Sequence, residues 1–136
     1  YMVLTHTSSI KKPSAVIALP NVLSCKYDIG VVMVPVNMTK YGYSSNVDQK
    51  KMRLNFELKD ANSGKTEKFS KLEYDGIKVD TVWVKKGHEF PYCDYYPSKN
   101  IKDAAVTLTI TSDAGSRDTD YSRDLYIDCV VLKPTK

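Results

Sequence analysis

The sequence predicts an all-β fold, a sandwich or barrel of antiparallel strands, and three observations carry that expectation. No segment keeps a helical period beyond a turn or two. About eight extended segments are separated by turn signals roughly every 8 to 12 residues. The run Ser24–Pro35 reads as a strand, with Tyr27, Ile29, Val31 and Met33 on one face at period two and Asp28, Gly30, Val32 and Val34 on the other. Because it is apolar on both sides it is expected in the middle of a sheet, with Pro35 as its stop.

The remaining elements follow in chain order. Residues 1–13 join an apolar patch, Tyr1–Leu4, to a Thr/Ser/Lys-rich turn, and are read as a first strand or as a leading segment before a single domain over residues 14–136. Ser14–Leu19 is a short strand and Pro20-Asn21 a turn. Val36–Gln49 is a loop rich in Asn, Ser, Gly and Tyr that contains the glycosylation-type triplet Asn37-Met38-Thr39. Lys51–Lys59 alternates cleanly, with Met52, Leu54, Phe56 and Leu58 inward and Arg53, Asn55, Glu57 and Lys59 outward, as a strand with one wet face does. The turn Asp60–Lys65 joins it to Thr66–Phe69 as a hairpin, with Lys71–Tyr74 as a continuation and Asp75-Gly76 as the next turn.

Lys78–Val84 carries Trp83, the only tryptophan, and is expected to close at Lys85-Lys86-Gly87. Glu89–Tyr92 follows as a separate short strand and Asp94–Asp103 as a Tyr-rich loop. Ala105–Thr111 sets Val106, Leu108 and Ile110 against three outward threonines that suit the pleat. After a loop rich in Asp, Gly and Ser, Leu125–Lys133 is the last strand, ended by Pro134.

The 136 residues suffice for one domain with its own core. No apolar run approaches the roughly 20 residues of a membrane helix, so no membrane span is expected. The net charge of +4 is dispersed over Lys11-Lys12, Lys50-Lys51 with Arg53, and Lys85-Lys86, which speaks against a nucleic-acid partner. A chain that opens on Tyr1 is expected to be cut from a longer precursor. The three cysteines, Cys25, Cys93 and Cys129, form neither a disulfide framework nor a zinc pattern. Cys129 alternates with Leu125, Ile127 and Val131 and is expected as a small core residue, a bridge to Cys93 being the alternative.

No nucleophile elbow, phosphate loop or catalytic dyad stands out, and His6 and His88 are expected as solvated loop residues. The domain is therefore read as no enzyme. Asp113, Asp118, Asp120 and Asp124 supply the hard oxygens a structural calcium takes, without EF-hand spacing, against the plainer reading of a solvated turn. Among the ten tyrosines, Tyr41 and Tyr43 lie in one loop and Tyr95 and Tyr96 in another. If the two loops meet they form a glycan platform, since phenol rings stack on pyranoses and their hydroxyls bond sugar oxygens. The plainer reading is that they cover loop backbone. Tyr27, Asp128 and Cys129 are read as structural, with Asp128 either hydrogen-bonded across the sheet or facing solvent.

Three blocks carry a resemblance: Leu19-Pro20-Asn21-Val22-Leu23-Ser24-Cys25-Lys26-Tyr27-Asp28, then Phe90-Pro91-Tyr92-Cys93, then Ile127-Asp128-Cys129-Val130-Val131-Leu132-Lys133-Pro134. The early Lys-Tyr-Asp strand with the closing Ile-Asp-Cys strand resembles the galactose-binding-like jelly roll of family 6 and family 35 carbohydrate-binding modules. The fuller set is similar to β-sandwich regions of Bacteroidetes surface lipoproteins of the kind that accompany fasciclin domains. Cys25 stands where that pattern has glycine.

The resemblance implies a two-sheet antiparallel β-sandwich and a secreted or outer-membrane surface location. With the loop tyrosines it leads to the expectation of a non-catalytic accessory domain that binds a polysaccharide or surface glycan or serves adhesion. The alternative is a structural module that docks a neighbouring domain of the same precursor.

Overall fold

The computed structural model describes residues 2–19, 25–35, 50–60, 64–90, 106–115, 117 and 120–135. They hold eight strands: β1 (Met2–Leu4), β2 (Ser14–Ala18), β3 (Cys25–Met33), β4 (Met52–Asp60), β5 (Lys65–Tyr74), β6 (Asp80–Phe90), β7 (Val106–Ser112) and β8 (Leu125–Pro134). Two four-stranded sheets result, in the orders β1-β8-β3-β6 and β2-β7-β4-β5, with antiparallel pairing throughout. The pairs β1·β8, β2·β7, β3·β6 and β4·β5 are those of one long hairpin rolled up on itself, which is the jelly-roll arrangement. The expected all-β two-sheet sandwich is thus what forms, with the Tyr27–Met33 strand between β8 and β6.

The core lies between the sheets. Ile29, Val31 and Met33 of β3 and Met52, Leu54, Phe56 and Leu58 of β4 are essentially inaccessible, joined by Leu108 and Ile110 of β7 and Leu125 and Ile127 of β8. Each such side chain contributes about 1.5–3 kcal/mol of transfer free energy. The alternation that the sequence shows in β4 is therefore the seam along which the two sheets close. Ahead of β2, Met2–Leu4 pairs with Leu125–Ile127, which makes the amino-terminal patch an edge strand of the first sheet.

Because successive strands run in opposite directions, connections alternate between the two ends of the sandwich. Those after β1, β3, β5 and β7 lie at one end, where Met33, Met52, Tyr74, Asp80 and Ser112 stand; those after β2, β4 and β6 lie at the other, with Asp60, His88 and Phe90.

Register irregularities mark β5, β6 and β8, and those in β5 and β8 reverse the inward and outward sense of the residues that follow them. In β6 the register against β3 shifts between Tyr27 and Ile29 and again between Ile29 and Gly30. Gly87, at φ 66°, gives its N–H to Asp28 Oδ1 at 2.9 Å, so the chain passes through the expected stop and β6 is one strand where two were expected. This carries His88 into the interior at 6% exposure, against the expectation of a solvated loop residue. In β5, Lys71 at φ 58° is the extra residue, its N–H bonded to Asn55 Oδ1.

In β8 the shift falls between the pairs Val32↔Cys129 and Met33↔Ile127, leaving Asp128 as the bulged residue. Beyond it the phase inverts: Val130 and Leu132 pack on the core, while Cys129 is exposed with a free thiol. The expectation of a core Cys129 is corrected by that single extra residue. Asp128 itself is exposed and so faces solvent, one of the two ways foreseen for a carboxylate in an apolar strand. Tyr27 is half-buried, its ring edge-on to Phe90 at 5.3 Å.

Candidate functional site

The end of the sandwich that gathers the connections after β1, β5 and β7 holds two clefts. The first, of about 270 Å³, is lined by Lys51, Glu73, Tyr74, Asp75, Asp80, Thr81 and Val82. Its floor is built by the tight β5–β6 turn, in which Ile77 N–H bonds Asp75 Oδ1 at 3.0 Å and the Tyr74 hydroxyl donates to the Lys78 carbonyl at 2.6 Å. Burial, with the charges of Asp75 and Asp80, pushes the Tyr74 phenol far up, so it remains a donor at any ordinary pH. Asp80 Oδ1 accepts from Thr81 N–H at 2.8 Å. Each of these carboxylates keeps a second oxygen with which to accept hydroxyl protons.

Trp83 stands next to this cleft on the outer face of the first sheet. In register, Gly30 lies between Trp83 of β6 and Val131 of β8. The indole covers the position where a side chain at residue 30 would project, and so does the Thr81 methyl, which ties Trp83 to a residue that lines the cleft. The six-membered ring packs at that point, and the residue remains 40% exposed. Ile77 and Val79, in the β5–β6 connection, are exposed as well.

Behind the cleft, Arg53 organises the β7–β8 connection. Its guanidinium lies over the Tyr121 ring at 4.6 Å and donates to the Asp113 carbonyl at 2.8 Å and to Asp113 Oδ2 at 3.2 Å. The Tyr121 hydroxyl donates to Glu73. Burial pushes the Asp113 carboxyl up, but hydrogen bonds from Lys12 and Asn55 and the charges of Lys12 and Arg53 outweigh it and hold the group below its usual range.

Two of the expected calcium ligands, Asp113 and Asp124, are separately engaged. Asp113 is held by Lys12 and Arg53, Asp124 accepts from the N–H and Nδ1 of His6, Asp120 is exposed, and Asp118 lies outside the described residues. Among the described residues no group of three or more His, Cys, Asp or Glu side chains is placed to hold a metal ion. His6 and Asp124 form an oriented imidazole–carboxylate pair, yet among the described residues no hydroxyl or thiol bonds the other imidazole nitrogen.

The expected glycan platform of Tyr41, Tyr43, Tyr95 and Tyr96 also lies outside the described residues, as does Cys93. The strands that flank those loops are informative. The strand ends before residue 36 and after residue 49 lie at one end of the sandwich, and those before residue 91 and after residue 105 at the other.

The sequence reading gave Trp83 no role beyond its place on a strand, although two signals pointed to it. Val82 and Val84 claim the inward positions of β6, which sends Trp83 outward, and a glycine inside a strand marks close approach by a neighbour.

No protein-family model, curated protein or solved structure matches the chain.

Proposed function

We propose that the domain is a non-catalytic glycan-binding module of a secreted or surface-anchored bacterial protein, with Trp83 and the adjoining acidic cleft as its recognition surface. The observation that carries this reading is the exposed indole packed against Gly30 together with Thr81, a residue that lines the cleft of Asp80, Asp75 and Glu73. A flat aromatic face stacks on a pyranose ring, and carboxylates at its border accept hydrogen bonds from the ring hydroxyls. The resemblance of the Lys26-Tyr27-Asp28 and Ile127–Pro134 blocks to galactose-binding-like and Bacteroidetes lipoprotein domains supports the same reading. The site differs from the four tyrosines first singled out, which lie outside the described residues.

A glycan array probed with the chain, with Trp83→Ala and with a Tyr95→Ala/Tyr96→Ala double variant tests this. Hits abolished by the first variant and kept by the second are expected. An array without hits, or hits that survive Trp83→Ala, contradicts it.

A second reading rests on Ile77 and Val79, which are 66% and 46% exposed in the β5–β6 connection. An apolar margin of this kind suits a module that docks a neighbouring domain. That reading predicts no glycan hits, and protection of Trp83 from acrylamide quenching only in a longer polypeptide that includes the neighbour.

A further inference from the structure

The second cleft at the same end, of about 370 Å³, is lined by His6, Thr7, Ser8 and Lys11 of the β1–β2 connection and by Arg123, two residues before β8. No carboxylate is among these residues, and two of them are permanently cationic at neutral pH. Asp124, the nearest acid in sequence, is occupied: its Oδ1 accepts both the backbone N–H and Nδ1 of His6.

The lining is also set in advance. Thr7 N–H bonds the Ile10 carbonyl at 2.7 Å and Ile10 N–H returns to the Thr7 hydroxyl at 2.9 Å, closing residues 7–10 into a turn. The Ser122 hydroxyl fixes the Asp124 carbonyl at 2.7 Å on the other wall. Within this frame Arg123 is under-satisfied. Its Nε is buried without a hydrogen-bond partner among the described residues, and its Nη2 reaches only the Lys11 carbonyl, at 3.5 Å. A buried guanidinium N–H left unpaired costs on the order of 1–3 kcal/mol, which a ligand that accepts from it recovers. Arginine is the side chain best suited to a tetrahedral oxyanion, because its fork donates two parallel hydrogen bonds.

From this arrangement we infer that the cleft binds the tetrahedral oxyanion of a sulfate or phosphate monoester. Arg123 and Lys11 supply charge-assisted donors and Ser8 a hydroxyl donor. The cleft exceeds what a bare oxyanion fills, so the organic part of the ester lies in it beside Thr7 and His6. The site is independent of the Trp83 surface, since no residue lines both clefts.

The test is calorimetric titration of the chain with glucose 6-sulfate, glucose 6-phosphate and glucose, at low and at moderate sodium chloride. Saturable binding of at least one ester, tighter than that of glucose and weakened by salt, is expected. Binding of the sulfate ester alone assigns the site to sulfated ligands, and of the phosphate ester alone to phosphorylated ones. Lys11→Gln and Arg123→Gln should each weaken the ester about tenfold, and Trp83→Ala should leave it unchanged. Lys11 is exposed, so its variant reports on the site even where Arg123→Gln unfolds the chain. No ester binding at millimolar concentration, equal affinity for ester and glucose, or ester affinity unchanged in Lys11→Gln overturns the assignment.

Discussion

Gly30 packs against the indole of Trp83: a Cβ at residue 30 would stand 2.9 Å from the indole Cε3 and 2.6 Å from Cγ2 of Thr81. Both distances are shorter than carbon atoms accept, so Gly30→Ala must lift the ring or move the strand. A loss of about 1–3 kcal/mol in chemical denaturation is expected, as for other small-to-large changes in packed sites. The same variant should render Trp83 more accessible to acrylamide. Unchanged stability with unchanged quenching would show that the ring does not rest there in solution.

The β5–β6 turn that floors the acidic cleft depends on Gly76. Its φ is 77°, and a Cβ there would meet the Lys50 carbonyl oxygen at 2.3 Å, a backbone atom with little room to retreat. Gly76→Ala should cost more than about 1 kcal/mol, read as a lowered denaturation midpoint at constant m. It should also weaken any ligand of the Trp83 surface, because Asp75 and Asp80 flank the turn.

At the opposite end, His88 ties the two sheets. Lys85 Nζ donates to Glu67 Oε1 at 2.6 Å and to His88 Nδ1 at 3.1 Å, which leaves the hydrogen on His88 Nε2, 3.5 Å from Asp60 Oδ2. Burial first, and then the Lys85 charge, lower the His88 pKa against the opposing pull of Asp60 and Glu67. Between its folded and unfolded values the folded chain binds fewer protons than the unfolded one, so stability falls as pH falls. The contribution of His88 is complete above about pH 6.5 and is lost through the lowered folded value. Thermal melts from pH 8 to pH 5 should show this decline, and His88→Gln should flatten it. A wild-type slope that the variant keeps would assign the decline to other groups.

Cys129 should be alkylated by iodoacetamide in the native chain, and Cys129→Ser should change stability by no more than about 0.5 kcal/mol, as an exposed position does. Protection of Cys129 until the chain unfolds would place it back in the core.

How much of this the sequence disclosed depends on whether the relevant relation is local. The Met52–Leu58 alternation and the two-faced Tyr27–Met33 run are each written in one segment, and both strands form where expected. Bulges are not written that way. One extra residue at Asp128 reverses the outlook of Cys129, and the Lys86-Gly87 pair, which reads as a stop, instead carries β6 onward and buries His88. The candidate sites are less legible still. Trp83 meets Gly30 only through the register of β6 on β3, and the cationic cleft joins Ser8 and Lys11 to Arg123 across most of the chain. Such meetings follow from the rolled hairpin, which no single segment of the sequence records.

The central claim is that the Trp83 face receives a ligand, and the single tryptophan makes it directly measurable. Intrinsic fluorescence is titrated with a glycan that scores on the array, and the indole emission should shift to shorter wavelength and saturate, with acrylamide quenching reduced in the bound state. Glycan binding measured by calorimetry with an emission spectrum and quenching constant that do not move would contradict the account.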